Sequence, residues 1–228
     1  METNCRYSEN CNKKDCNAPF CIRKYKLDAL YSYANLAPIQ LKHVPLTIDA
    51  DGTDHEQYTQ VVNIINNIKQ FVADSQNLYL HSCGCGVGKT ILATRAIKAY
   101  IEAIWAESEL KCRALFVDVP TFLIKLKENI STPSEEMQQL KQNILSADLV
   151  VWDEIGNKTG TEFELNQLLC YINDRITQGK SNIYTSNCNT ATMYQLLGNR
   201  LASRICNFST DIEFFGKDKR AISPLKQN

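Results

Sequence analysis

The segment LYLHSCGCGVGKT, residues 78–90, indicates the fold class of this chain. Leu78–Leu80 is a short apolar run typical of a buried strand, a glycine-rich turn follows it, and an amphipathic pattern from Thr90 to Glu107 predicts a long helix. A strand, a glycine-rich turn and a helix in this order are what a phosphate-binding P-loop requires. The N–H groups of such a turn and the positive end of its helix face the phosphates.

The side chains of this segment predict specific roles at a nucleotide site. Lys89 would reach the β and γ phosphate oxygens, and the Thr90 hydroxyl would ligate Mg²⁺. Gly86 and Gly88 would let the main chain approach the phosphates without a Cβ in the way. The strict pattern has glycine where this chain has Cys83, a difference expected to affect nucleotide affinity or turnover. The predicted nucleotide-binding residues of the loop are Gly84, Cys85, Gly86, Val87, Gly88, Lys89, Thr90 and Ile91.

A second motif, LVVWDE at residues 149–154, places two carboxylates directly after an apolar strand. In a parallel sheet the carboxyl ends of the strands form the edge at which ligands bind. We predict that Asp153 holds Mg²⁺ together with Thr90, and that Glu154 orients and deprotonates an attacking water. Both side chains reach the site only if the chain leaves the strand at this point.

Further apolar runs at residues 114–119 and 182–185 alternate with helical patterns, including one over residues 162–177. This alternation predicts an α/β fold with a parallel sheet flanked by helices. The strand at 182–185 is followed by Asn187, which we expect to contact the γ-phosphate or the attacking water.

The composition limits the remaining possibilities. The chain has 228 residues with 44% hydrophobic content, which favours one main domain, and its 25 basic and 25 acidic residues cancel. No overall charge therefore attracts it to nucleic acid or to a membrane. No apolar run approaches the roughly 18 residues of a membrane span, and the first residues lack the apolar core of a signal peptide, so we predict a cytoplasmic location.

Four of the ten cysteines lie close together near the N-terminus. Cys5, Cys11, Cys16 and Cys21 would satisfy tetrahedral zinc, and a segment so poor in aliphatic residues would need a metal to fold. Free thiols or an iron–sulfur cluster are the alternatives, since the gaps are looser than paired C-x-x-C spacing. We predict a small Cys-rich, zinc-binding module and linker over residues 1–45, and the nucleotide-binding domain over residues 46–228.

Taken in order, CGCGVGKT, LVVWDEIG, IYTSN, RLASRI and GKDKR resemble the motifs of the bacterial and phage helicase loaders of the DnaC/DnaI type and of the related IstB-like ATPases. The resemblance covers about residues 60–220. It implies an AAA+ P-loop ATPase core without a C-terminal lid. In such a core Asn187 would be sensor 1, Arg204 the arginine finger offered to a neighbouring subunit with Arg200 as the second candidate, and Arg220 a substitute for sensor 2.

The resemblance also implies a function: an ATPase, active in an assembly with ATP at subunit interfaces, that places a replicative hexameric DNA helicase on single-stranded DNA. The Cys-rich module would dock on the helicase. An insertion over residues 121–145, with Lys125, Lys127 and Lys141, would meet the DNA, although Glu128, Glu135 and Glu136 interrupt its positive charge. The alternatives are an IstB-like transposition helper ATPase and an adaptor that binds nucleotide without hydrolysing it.

Overall fold

The computed structural model of the protein describes residues 20–42, 46, 52–157 and 159–219. The strands in these ranges are β1 (Asn77–His81), β2 (Ala114–Asp118), β3 (Leu149–Asp153), β4 (Ser181–Ser186) and β5 (Thr210–Glu213). The helices are α1 (Ile22–Tyr33), α2 (Pro38–Leu41), α3 (His55–Asn66), α4 (Ile68–Ala73), α5 (Lys89–Ile104), α6 (Val119–Ser131), α7 (Glu135–Ser146), α8 (Glu162–Thr177) and α9 (Thr190–Cys206). None of these helices has the length and apolar character needed to cross a membrane.

The five strands form one sheet in the order β2-β3-β4-β1-β5, and every neighbouring pair is parallel. This confirms the predicted α/β fold with a parallel sheet. The four predicted strands agree with β1 to β4 to within one residue at each end. Because β3, β4 and β1 are consecutive in the sheet, the segments that follow them leave from the same edge, side by side.

Helices cover both faces of the sheet. Successive strand residues point to opposite faces, so Leu78 and Leu80 pack with α1, α3, α4 and α5, whereas Tyr79 packs with the helices α6 to α9. The strands are buried on both faces, which explains why they are nearly continuous apolar runs in the sequence.

The regions over residues 58–72 and 121–145 each contain two helices. Apolar residues at helical spacing run from Tyr58 to Val72, and this stretch is divided between α3 and α4 because the chain leaves helical geometry at Asn67. The region 121–145, expected to hold the DNA-binding insertion, contains most of α6 and of α7. Asp118 caps α6 by accepting a hydrogen bond from the Thr121 N–H, and Ser134 caps α7 in the same way through Met137.

Helix α1 lies against α5 and β2, although it falls in the segment assigned to the N-terminal module. Leu27, Leu30 and Tyr31 are buried in the apolar core there. The turn after α1 covers β2, which is an edge strand. The Phe116 N–H donates to the Ala34 carbonyl at 2.9 Å, and the Asn35 amide donates to the Phe116 carbonyl at 2.9 Å.

Arg175, on α8, is fully buried beneath the sheet. Its guanidinium donates to the carbonyls of Ile144, Ala147 and Ser181 and, at 2.7 Å, to the Asn182 side-chain oxygen. Burial lowers the pKa of Arg175 to about 10, so the group stays charged at neutral pH. The charge is satisfied by carbonyl dipoles that join α7, α8 and β4.

Candidate functional site

The glycine-rich loop connects β1 to α5, as the sequence predicts. Gly86 and Gly88 have φ values of 80° and 97°, in the left-handed region that glycine adopts without strain. Gly88 directly precedes the first residue of α5, so the loop delivers its backbone to the N-terminus of a sixteen-residue helix. Partial positive charge at such a terminus favours phosphate.

Lys89 lies at the centre of the loop and is only 7% exposed. Its ammonium donates to the Gly84 carbonyl at 3.2 Å, to the Ser82 hydroxyl, and to Oδ1 of Asn187 at 3.0 Å. The chain thus holds the lysine in a folded-back position between β1 and the end of β4. Each of these partners is an oxygen that a phosphate oxygen would replace.

Asp153 ends β3 and faces the start of α5. The Thr90 hydroxyl donates to its carboxylate, with distances of 3.0 and 3.2 Å to the two oxygens, and the Thr185 hydroxyl donates at 2.5 Å. Burial raises the pKa of the Asp153 carboxyl, the hydroxyls of Thr185 and Thr90 oppose this, and the nearby Glu154 and Asp118 raise it further. A divalent cation at this position would reverse the shift by favouring the carboxylate.

Glu154 follows Asp153 with a φ of 61°, which is uncommon for a residue with a side chain. The chain turns out of the strand at this residue, as required for both carboxylates to face the same site. The Thr185 hydroxyl accepts from the Glu154 N–H at 3.0 Å, and the Asn157 amide donates to the Glu154 carboxylate at 2.8 Å. Thr185 therefore contacts both acidic residues, a role that was not anticipated.

These side chains line one cavity of about 400 Å³ at the carboxyl edge of the sheet. Of the predicted residues, it contains Cys85, Gly86, Gly88, Lys89, Thr90, Ile91, Asp153, Glu154 and Asn187. Thr185 and Ser186 also line it and were not predicted. Val87 is buried, and Gly84 contributes its carbonyl to Lys89.

Arg200 and Arg204 lie elsewhere in the fold. They line a separate surface cavity of about 560 Å³ between α8 and α9, together with residues such as Asp174 and Ser203. The guanidinium of Arg204 lies 5.4 Å from the centre of the Phe208 ring. Both arginines follow Gly198, where the φ of 74° and ψ of 163° interrupt α9. Within one chain, neither arginine lines the phosphate cavity.

Several predicted residues lie outside the described part of the chain. Arg220, Cys5, Cys11 and Cys16 are among them, so their roles stay predictions. Cys21 is described and is a free, partly exposed thiol. Within residues 20–42, 46, 52–157 and 159–219, there is no group of three or more histidine, cysteine or acidic side chains that could hold a metal, and the zinc prediction has no support there.

The residues at the cavity fit a magnesium–triphosphate group chemically. Thr90 and Asp153 present a hydroxyl and a carboxylate within 3.0 Å of each other, and hard oxygens are the ligands Mg²⁺ prefers. Lys89 and the start of α5 supply positive charge and N–H donors on the adjacent wall. Together, the sheet order and this arrangement match the P-loop core of AAA+ proteins.

A comparison with protein families shows which family of ATP-binding proteins the chain belongs to. The model of the IstB-like ATP binding proteins matches residues 39–207, which is more than half of the chain. The chain belongs to this ATP-binding family. No curated protein matches the sequence.

Solved structures share the fold at low sequence identity. The "DnaC helicase loader" is 19% identical with a TM-score of 0.58, covering 74% of this chain and 94% of the other. The "DnaI" structure is 18% identical with a TM-score of 0.63, covering 80% and 96%. The "replication initiator DnaA bound to AMPPCP and single-stranded DNA" is 17% identical with a TM-score of 0.59, covering 75% and 49%. The predicted resemblance to loaders of the DnaC/DnaI type and to IstB-like ATPases is confirmed.

Proposed function

We propose that this protein is an ATP-hydrolysing helicase loader, which binds a replicative hexameric helicase and helps deposit it on single-stranded DNA in the cytoplasm. The observation that carries the proposal is the convergence of Lys89, Thr90, Asp153, Glu154 and Asn187 in one cavity. These groups come from the ends of the adjacent strands β3 and β4 and from the start of α5, which follows the next strand in the sheet, β1. Their chemistry matches what phosphoryl transfer to water requires: positive charge, a cation site, a base and a polar orienting group.

The proposed hydrolysis assigns each residue a task at a stated atom. Lys89 leaves Asn187 and the Gly84 carbonyl and binds phosphate oxygens with its ammonium. Thr90 and Asp153 hold the cation, and bound Mg²⁺ supplies charge neutralisation to the β and γ phosphates. The Glu154 carboxylate, held by Asn157, accepts a proton from the water that attacks the γ-phosphorus, and the bond from that phosphorus to the β–γ bridging oxygen breaks as ADP leaves. Asn187, released from Lys89, orients that water or the γ-phosphate.

Assembly is part of the proposal because the arginines are remote from the cavity of their own chain. A guanidinium from a neighbouring subunit would stabilise charge on the transferring phosphoryl group. Arg204 is the first candidate and Arg200 the second, and both lie on the surface between α8 and α9. Hydrolysis would then depend on contact between subunits.

The role in helicase loading is supported by the fold shared with DnaC and DnaI, and that in DNA binding by the fold shared with DnaA bound to single-stranded DNA. The surface charge of α6 adds little support for DNA binding. Lys125 pairs with Glu136 at 3.0 Å, and Lys127 pairs with Glu164 at 3.0 Å, so both lysines are already neutralised by acidic neighbours. A DNA strand would have to replace these carboxylates with phosphates.

A second candidate function is a transposition helper ATPase, which the match to the IstB-like family favours. The two functions differ in the partner. The full chain, tagged and bound to ATP, should capture a hexameric helicase from a lysate, and the purified pair should transfer that helicase to single-stranded DNA. Capture of a transposase instead would support the second candidate and overturn the first.

The third possibility is an adaptor that binds ATP without hydrolysing it. The rate of ATP hydrolysis distinguishes this adaptor from an ATPase. We expect measurable phosphate release by the parent chain and none by Glu154→Gln, with both proteins binding ATP. Equal and negligible release by both would favour the adaptor.

A further inference from the structure

The segment that follows β5 returns to the beginning of α3. The Phe215 N–H donates to Oδ1 of Asp54 at 2.7 Å, and the Gly216 N–H donates to Oδ2 at 2.8 Å. Asp54 is only 3% exposed and sits at the cap position of α3, yet its side chain makes no capping bond to that helix. A Cβ on Gly216 would lie 2.3 Å from the Asp54 carboxylate, so only glycine permits this approach. Both carboxylate oxygens are therefore used to anchor the returning segment.

Beyond this anchor the segment contacts the phosphate loop at Gly86, while residues 215–219 are not among those that line the cavity. The Lys219 N–H donates to the Gly86 carbonyl at 3.0 Å. The Asp218 carboxylate lies against Gly86 so closely that a Cβ there would be 1.8 Å from Oδ1. The Lys219 ammonium stands 4.4 Å from the centre of the Tyr58 ring, and the Tyr58 hydroxyl donates to the Val87 carbonyl at 2.5 Å. We call Asp54, Tyr58 and residues 215–219 the loop clamp.

The clamp acts on two consecutive peptide groups. A peptide unit is planar and, in the described residues, trans, so its C=O and N–H point in opposite directions. The Gly86 carbonyl points to the Lys219 N–H, so the Val87 N–H of the same peptide group points away from the clamp. The Val87 carbonyl points to the Tyr58 hydroxyl, so the Gly88 N–H also points away from the clamp. These are N–H groups of the kind that a P-loop offers to phosphate.

We propose that Asp54 is a positioning residue for triphosphate binding, acting through residues 215–219 and in concert with Tyr58. This inference rests on the proposed nucleotide site. The clamp fixes the orientation of the loop amides before the ligand arrives, so binding does not have to order them. Asp54 itself does not line the phosphate cavity. Its removal should weaken nucleotide binding while leaving hydrolysis of bound nucleotide intact.

The first experiment compares Asp54→Asn with Asp74→Asn in the full chain. The amide in Asp54→Asn keeps the size of the side chain but replaces one acceptor oxygen with a donor. We expect affinity for a fluorescent ATP analogue to fall about ten-fold, with KM rising and kcat at saturating ATP unchanged. Asp74 is an exposed aspartate near the end of α4, and its variant should bind like the parent. Hydrogen exchange at residues 84–90 should be faster in Asp54→Asn alone.

A second pair of variants isolates the backbone bond. Lys219→Pro removes the N–H that donates to Gly86, whereas Lys219→Ala keeps it and removes only the ammonium above Tyr58. Affinity should fall more in the proline variant than in the alanine variant. This pair also serves if Asp54→Asn fails to fold.

The outcomes separate the two proposals. A parent chain that binds no ATP refutes the proposed nucleotide site. A parent that binds ATP, combined with affinities within two-fold of it for both Asp54→Asn and Lys219→Pro, refutes the clamp. A loss of kcat in place of affinity would also overturn the positioning role.

Discussion

The Nζ atom of Lys89 lies 3.0 Å from Oδ1 of Asn187, which joins the first residue of α5 to the residue that follows β4. Bound phosphate would compete with Asn187 for the lysine. We predict that Lys89→Ala weakens ATP binding about 100-fold, because a charge-assisted contact to phosphate is lost. Asn187→Ala should spare binding and lower kcat about 10- to 100-fold. Calorimetric titration and phosphate release measure the two effects, and a binding loss in Asn187→Ala comparable to that in Lys89→Ala would contradict the separation.

Thr185 connects the two acidic residues, since its hydroxyl donates to Asp153 and accepts from the Glu154 N–H. Thr185→Val keeps the shape and removes both bonds. We expect kcat to fall about 10- to 100-fold through misplacement of the carboxylates, and more Mg²⁺ to be needed for half-maximal rate. Thr59→Val, at an exposed site on α3, is the matched control. A Thr185→Val enzyme with the parent's rate and Mg²⁺ dependence would show that the threonine is only structural.

Arg204 should act on the cavity of a neighbouring subunit. Arg204→Ala is expected to bind ATP normally and to lose at least ~100-fold in assembly-dependent hydrolysis. Mixing it with Glu154→Gln should restore part of the rate, because an intact Glu154 in one subunit then meets an intact Arg204 from another. No recovery on mixing, at concentrations where the parent assembles, would count against a contribution in trans. The same mixture with Arg200→Ala tests the second candidate.

Replacement of the buried Arg175 should lower the stability of the fold strongly. Arg175→Met would leave the carbonyls of Ile144, Ala147 and Ser181 without their donors in the interior. We expect the free energy of unfolding to fall by about 3–5 kcal/mol, measured by urea denaturation. Lys111→Met, at an exposed ion pair, should change it by less than about 1 kcal/mol. A loss for Arg175→Met as small as that of the control would mean that the carbonyls find other donors.

Glu164 should make the stability of the fold depend on pH. Burial opposes its ionisation, but the Thr161 N–H, Lys127 and the Thr161 hydroxyl outweigh burial and lower the pKa of Glu164 to about 2. The folded pKa is below the unfolded value of about 4.3, so this contribution is complete above that pH and is lost as the pH falls towards 2. Glu164→Gln should therefore reduce stability at pH 6 and flatten its decline in acid. Glu162→Gln, in the same helical turn but exposed, should follow the parent curve.

The strands and the phosphate loop were predictable because their signals are local. An apolar run, a glycine-rich turn and a helical period lie together in residues 78–104. The convergence of Asp153 and Asn187 on Lys89 follows once the strands are taken as parallel. Val150 and Val151 carry no information about which strand lies beside them, so the order of the sheet needed the structure.

Other features depend on distant partners. In the sequence, Thr185 cannot be distinguished from any other strand residue. Its contacts with Asp153 and Glu154 follow only from the pairing of β3 with β4. Leu27, Leu30 and Tyr31 have the spacing of a buried helical face, so the sequence does contain a signal for α1. The cysteines before it instead predicted a separate metal-binding module over these residues. The four-residue strand β5 pairs with β1, about 130 positions earlier, and Gly216 contacts Asp54, 162 positions earlier. No local pattern marks such pairings.

The turn after α1 has a consequence for how these molecules meet one another. Ala34 and Asn35 occupy the outward-facing N–H and carbonyl of Phe116 in the middle of β2. An exposed row of such groups would invite a strand from a second molecule to extend the sheet, a common route to aggregation. Here the invading strand would first have to displace a turn that is tied to the core by Leu30 and Tyr31. The turn therefore blocks the extension of the sheet by a second molecule at the middle of β2.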